Sequence, residues 1–125
     1  MSHGMPTDVP LVGGVLTVVV AALHLYFLYL EMFRWEAPRT RKIFRTTPEF
    51  ATASRALAAN QGLYNGFLSV GLLFGLMAAN EHMVLFLLAC VVVAGIYGAI
   101  TATRTAFYVQ SVPALLAFLA FGAGI

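Results

Sequence analysis

Six side chains in this sequence could do chemistry where little else could. They are His24 and Glu31, in an apolar run near the start, and Asn60, Gln61, Tyr64 and Asn65, in the stretch Asn-Gln-Gly-Leu-Tyr-Asn-Gly-Phe at residues 60–67. A carboxyl group can give or take a proton, an imidazole can orient it or exchange that proton, and a phenol with three amides can hold an oxygen of a bound molecule. On that reading Glu31, His24 and Tyr64 are the catalytic candidates, and Asn60, Gln61 and Asn65 are ligand-binding candidates. One histidine and one carboxylate seven residues apart supply too few donors for a metal, so no metal is expected. The chain also lacks a phosphate-binding loop, a nucleophile elbow, a cysteine pair and a zinc-helix motif, and no cofactor is expected.

Spacing groups these residues on helix faces. His24, Leu28, Glu31 and Trp35 follow at intervals of four, three and four and form one stripe. Asn60 and Tyr64 form a second, with Gln61 and Asn65 on the adjoining one. Gly62 and Gly66 lie opposite, in a spacing that lets another helix approach closely. If the third apolar helix is continuous to its end, Tyr97, Thr101, Arg104 and Tyr108 make a further stripe. Gln110 follows at the opening of the fourth helix. Tyr97, Thr101, Arg104 and Gln110 therefore join the ligand-binding candidates, and Arg104 could neutralise Glu31.

The elements that must position these groups are membrane helices. Of 125 residues, 61% are hydrophobic and 10% charged, and the mean hydropathy is +0.88. That composition excludes an ordinary soluble domain, and it gives a net charge of +2 little weight for nucleic acid. About 20 apolar residues cross a bilayer core. The expectation is a single all-α membrane domain over residues 5–125, a four-transmembrane-helix bundle with helices near 10–33, 48–80, 83–106 and 110–125. Residues 1–4 read as a tag remnant before a native start at Met5, which leaves His3 without a role. The first apolar run does not read as a secretory signal, because nothing basic precedes it and no small-residue cleavage site follows. Cys90 is the sole cysteine, which excludes an internal disulfide, and it reads as a small apolar packer.

All seven basic residues fall on one side of such a topology: Arg34, Arg39, Arg41, Lys42, Arg45, Arg55 and Arg104. The positive-inside rule then places the two basic loops in the cytoplasm and both termini outside it. Asn80, Glu81 and His82 form a short outer loop, and Asp8 lies in the outer tail. The segment from Arg34 to Phe50 is the one sizeable loop. Its Pro38 ends whatever helix precedes it, and Thr46-Thr47-Pro48-Glu49 is a helix start. The basic cluster reads as a topology signal in contact with membrane lipid headgroups, in preference to recognition of a particular anionic lipid. Tyr26, Tyr29, Phe33 and Trp35 read as an interfacial aromatic belt. In the fourth helix, Pro113 either kinks a helix begun near Thr105 or sits in the first turn of one begun near Gln110. The later start is favoured, with Ser111 near the cap.

With that orientation the polar side chains gather in one leaflet. The first functional expectation is a polar pocket in the cytoplasmic half of the bundle, binding a lipid-like small molecule or transforming it by proton transfer. The competing expectation is a structural or accessory subunit, or a small oligomeric transporter, whose polar residues glue helices together within a homo-oligomer. Interhelical hydrogen bonds in membranes average about 0.6 kcal/mol, so glue is a physically sufficient use for them. The outer halves offer little beyond Thr17, Ser69 and Cys90, which argues against a hydrophilic path through one protomer. The residues alone do not decide between enzyme and binding protein.

The pattern His24, Glu31, Met32, Phe33, Trp35, followed by Thr47-Pro48-Glu49-Phe50 and then residues 60–67, resembles the small bacterial membrane proteins grouped as domain of unknown function 1304. The resemblance runs from the first helix to Pro-Ala-Leu-Leu-Ala-Phe-Leu at residues 113–119. It implies a four-helix integral protein of the bacterial inner membrane, with Glu31, Asn60, Gln61, Tyr64 and Asn65 on the family's motif positions. It implies no reaction.

Overall fold

A computed structural model describes residues 9–125, so the expected tag remnant at 1–4 and Asp8 lie outside the described residues. Among the described residues the chain is all-helical, with no strand. Helix α1 spans Leu11–Phe33, α2 Pro38–Phe44, α3 Pro48–Ala53, α4 Arg55–Met77 and α5 Glu81–Thr101. The last helix, α6, spans Arg104–Gly122. It widens into a π turn over Phe107–Ser111 before resuming as α-helix over Val112–Gly122. Three of these helices, α1, α5 and α6, are long and apolar enough to cross a membrane. Helix α4 has the 23-residue length of α1 but carries Arg55, Asn60, Gln61 and Asn65 in its first half.

Two compact units are distinguished, one holding the chain through Ala21 together with Val70–Ile125, the other Ala22–Ser69. In the first, α5 packs against α6 through small residues. Ser111 is buried and its hydroxyl donates to the Val92 carbonyl at 2.7 Å. A methyl group on Gly95 would meet the Ser111 side chain and come within 2.7 Å of its backbone nitrogen. Ala114 and Ala117 are fully buried on the same helix. The outward positions are large and apolar: Phe86, Val93, Ile100 and Leu119 are exposed, Ile100 to 77%. The buried positions mix these small residues with Val84, Leu88, Val91 and Phe121, so large apolar side chains lie both inside and outside, as expected where lipid, not water, surrounds a helix.

Four boundaries differ from the sequence expectation, each for a local reason. The loop between α1 and α4 contains two short helices: Pro38 starts α2 in its first turn, which suits a residue with no N–H to bond, while Arg41 and Lys42 suit its negative C-terminal end. Pro48 does open a helix, capped by Thr47, whose hydroxyl accepts from Phe50 N at 3.1 Å. That helix ends at Ser54, whose backbone leaves the helical region (φ −98°, ψ 7°) and whose hydroxyl donates to the Phe50 carbonyl at 2.7 Å, and α4 starts afresh at Arg55. Glu81 and His82 are not loop residues but lie in the first turn of α5, which Asn80 caps by accepting from Met83 N. Finally, the favoured late start of the fourth helix is overturned: Thr103, extended, accepts from Thr105 N and starts α6 at Arg104. The π turn resolves the proline problem. Pro113 has no N–H for the carbonyl four residues back and crowds it, and widening the preceding turn lets Val112 N donate to Phe107 O instead. The break at Thr103 also separates Arg104 and Tyr108 from the Tyr97 and Thr101 stripe of α5.

Helix α4 ends in a tight reversal. Ala79 takes a left-handed φ of 50°, with Asn80 N donating to Gly75 O at 2.8 Å and Ala79 N to Leu76 O at 3.1 Å. Glycine is the usual residue there because a Cβ is crowded in that region. Ala79→Gly is expected to raise stability by about 0.5–1 kcal/mol, seen as a higher melting temperature in detergent. Gly95→Leu should lower it by about 1–3 kcal/mol through overpacking against Ser111; unchanged melting would show that the α5–α6 contact is loose.

Candidate functional site

The site begins with a carboxyl group that must be satisfied. Glu31 lies on α1, near the end of an apolar helix, and is only 5% exposed. Asn65, on α4, donates from Nδ2 to Glu31 Oε1 at 2.6 Å. The helices come close enough for that bond because α4 presents glycine: a methyl on Gly62 would lie 2.7 Å from Met32 Cγ and 3.1 Å from Glu31 Cβ, and one on Gly66 2.7 Å from Leu28 Cδ1. The expected glycine seam thus meets α1 of the same chain. An amide suits the position because it donates to the carboxyl without bringing a second charge into an apolar place.

The helix period sorts the remaining candidates. Gly62, Gly66 and Ser69 are buried on the seam face with Asn65 beside them, and the Ser69 hydroxyl donates back to Asn65 O at 3.2 Å. Asn60 and Tyr64 stand on the opposite face of α4, with Gln61 on its flank, and all three are exposed, Tyr64 to 65%. The Asn60 amide donates to Ala56 O at 2.9 Å, and the Tyr64 ring meets Phe67 edge-on at 5.5 Å. His24 is 1% exposed and edge-on to Phe27 at 5.4 Å. It shares the Glu31 stripe of α1 but lies two turns away, about 10 Å along the axis. The structure therefore brings Glu31 and Asn65 together, while Asn60 and Tyr64 point away from that pair.

The other candidates belong to the first unit. Tyr97 and Thr101 are exposed on α5, and the Thr101 hydroxyl donates to Tyr97 O at 2.8 Å. Arg104 is exposed at the start of α6, and Gln110 is half-buried in the π turn. Among the described residues no cluster of histidine, cysteine and acidic side chains is suited to a metal ion.

A second polar centre was missed in the sequence. Trp35 does not extend the His24 stripe, because α1 ends at Phe33; its indole N–H donates to Ser54 Oγ at 3.1 Å and its ring lies 5.0 Å from that of Phe44. Next to it, Glu36 Oε1 accepts from the Thr52 hydroxyl at 2.7 Å, Oε2 pairs with Arg55 at 3.4 Å, and the Glu36 carbonyl accepts from Arg41 Nε at 3.2 Å. Helical periodicity cannot link residues 16 to 19 apart across two breaks. The available signal was an acid alone among bases.

Fold and site together define a small all-helical protein whose helices suit a membrane and which holds a carboxyl–amide pair in a close-packed seam. The family described as "Protein of unknown function (DUF1304)" matches residues 18–121, and the chain belongs to it. It is also similar to "Uncharacterized protein YpaA" of Lactococcus lactis subsp. lactis (strain IL1403), 29% identical over 109 residues that cover 84% of this chain and 92% of that one. No solved structure matches.

The pair makes an asymmetric prediction. Glu31→Gln keeps an oxygen for the Asn65 amide, so its melting temperature in detergent should stay near that of wild type. Asn65→Ala leaves the carboxyl unpaired in the seam and should cost about 1–3 kcal/mol. Equal effects from the two variants would mean that the bond does not hold α1 to α4.

Proposed function

We propose that the chain is a four-span protein of the bacterial inner membrane, with α1, α4, α5 and α6 as spans, both termini outside and the basic loops in the cytoplasm, and that it works as a structural or accessory subunit by assembly within the membrane. One observation carries this reading: Asn60, Gln61 and Tyr64 are exposed on α4 while the Glu31 carboxyl is already engaged by Asn65. That division favours assembly over a single pocket joining Glu31 to Asn60 and Tyr64. Amides and phenols facing hydrocarbon seek another hydrogen-bonding surface, and a face that both donates and accepts can pair with its own copy about a two-fold axis. Topology follows from the seven basic residues and the length of α4, whose polar groups would face protein and not lipid.

A second reading has one observation in its favour, the closeness of three hydrogen-bonding side chains within residues 60–64. There they would hold the polar head of an amphiphile, and Glu31 and His24 would support the helix behind them.

Native mass spectrometry of the protein extracted in mild detergent separates the two. Assembly predicts a wild-type oligomer that shifts to monomer in the Asn60→Ala/Gln61→Ala variant, with Glu31→Gln remaining oligomeric. A monomeric wild type that carries a small molecule lost from the double variant would overturn assembly in favour of ligand binding.

A further inference from the structure

We propose that the folded segment between α1 and α4 presents a headgroup site for an anionic phospholipid, formed by Arg39, Lys42 and Arg45 with Ile43 beside Arg39. Residues 34–47 hold five basic side chains and a single acid, Glu36. Glu36 is engaged by other partners: its carboxylate takes Thr52 and Arg55, and its carbonyl takes Arg41. Arg39, Lys42 and Arg45 are exposed, and none of them forms an ion pair among the described residues.

The backbone presents these cations in a defined way. On α2 the packed side is Thr40, buried, and Phe44, whose ring lies against Trp35. Arg39 and Lys42 occupy the outer arc, and Ile43 lies on the flank between Arg39 and the packed side. Arg45 follows in a left-handed C-cap, with φ 57°, that closes the helix. Ile43, next to Arg39 on that flank, is 43% exposed. Cations beside an exposed apolar side chain match a phosphate carried on a glycerol and its acyl chains better than a soluble anion. The segment joins the last residue of α1, Phe33, to the first of α4, Arg55, so it lies at the membrane surface if those helices are spans. The inference rests on that membrane reading.

The test is native mass spectrometry of the full chain titrated with phosphatidylglycerol and, separately, with phosphatidylcholine. Wild type should retain phosphatidylglycerol on the order of tenfold more readily, given attraction by three clustered cations. Arg39→Gln/Lys42→Gln/Arg45→Gln should fall to the phosphatidylcholine level. Should the triple variant lose helicity, the single Lys42→Gln and a salt titration carry the test, each lowering retention of phosphatidylglycerol but not of phosphatidylcholine. No preference in wild type, undiminished preference in the variants, or full displacement by glycerol phosphate would overturn the proposal, the last by pointing to a soluble phosphate. Carbonate washing of membranes separates the two levels of failure. Release of the protein defeats the membrane reading and this site with it, whereas a protein that stays embedded without lipid preference defeats the site alone.

Discussion

A carboxyl group on an apolar helix has to find a hydrogen-bond donor, and the arrangement of α1 against α4 follows from how Glu31 finds one. Unpaired polar groups in hydrocarbon cost several kcal/mol, in round terms about 2–7. Asn65 meets the need at 2.6 Å, without a counter-charge that would have to be desolvated in turn. For the amide to reach, the backbones must come close, and Gly62 and Gly66 leave no room for even a methyl group between α4 and the Leu28, Glu31 and Met32 face of α1. Bond and seam are one feature: the glycines admit the contact, and the contact gives the glycines a reason to be there.

The same constraint explains the other polar side chains. Thr17 donates to Gly13 O, Ser69 to Asn65 O and Thr101 to Tyr97 O, each returning to the carbonyl four residues back on its own helix. Ser111 reaches across instead, to Val92 O, at the π turn where the ladder of α6 is widened. A helix that must carry a hydroxyl among apolar residues thus either folds it onto its own backbone or spends it on a neighbour. Asn60, Gln61 and Tyr64 are the group on α4 that faces outward, and for that reason the functional reading turns on them.

The segment between α1 and α4 obeys different physics. It is charged and broken by prolines, yet it is folded, because Glu36 gathers Thr52, Arg55 and Arg41 while Trp35 closes onto Ser54 and Phe44. A surface ion pair alone contributes at most about 1 kcal/mol. The buried Thr40 and Ala51 and the Trp35–Phe44 contact hold the turn together, and the hydrogen bonds give it its register. Two acids, Glu36 and Glu49, against five bases also leave Arg39, Lys42 and Arg45 without an ion pair among the described residues.

Helical class, the apolar runs, the Thr47–Pro48 helix start and the close-approach glycines were legible in the sequence, because each depends on residues within a turn or two of one another. Composition and the 3.6-residue period act locally, and the same residues produce the same helices almost regardless of what surrounds them. Where two local preferences competed, the period was not enough: Pro113 favoured a late start for α6, and only the cap at Thr103 with a π turn beneath the proline shows how the earlier start prevails. The site divided in the same way. That Glu31 and the amides of residues 60–65 are costly in an apolar helix was evident from their types alone. Which amide takes the carboxyl depended on the rotation of α4 about its own axis, and that rotation is set by packing Gly62 and Gly66 against α1, a contact between residues about 34 apart in the chain. The sequence by itself determined the helices and the need for polar partners. The tertiary structure decided the partners, because a hydrogen bond is made by two side chains in space and local spacing specifies only one of them.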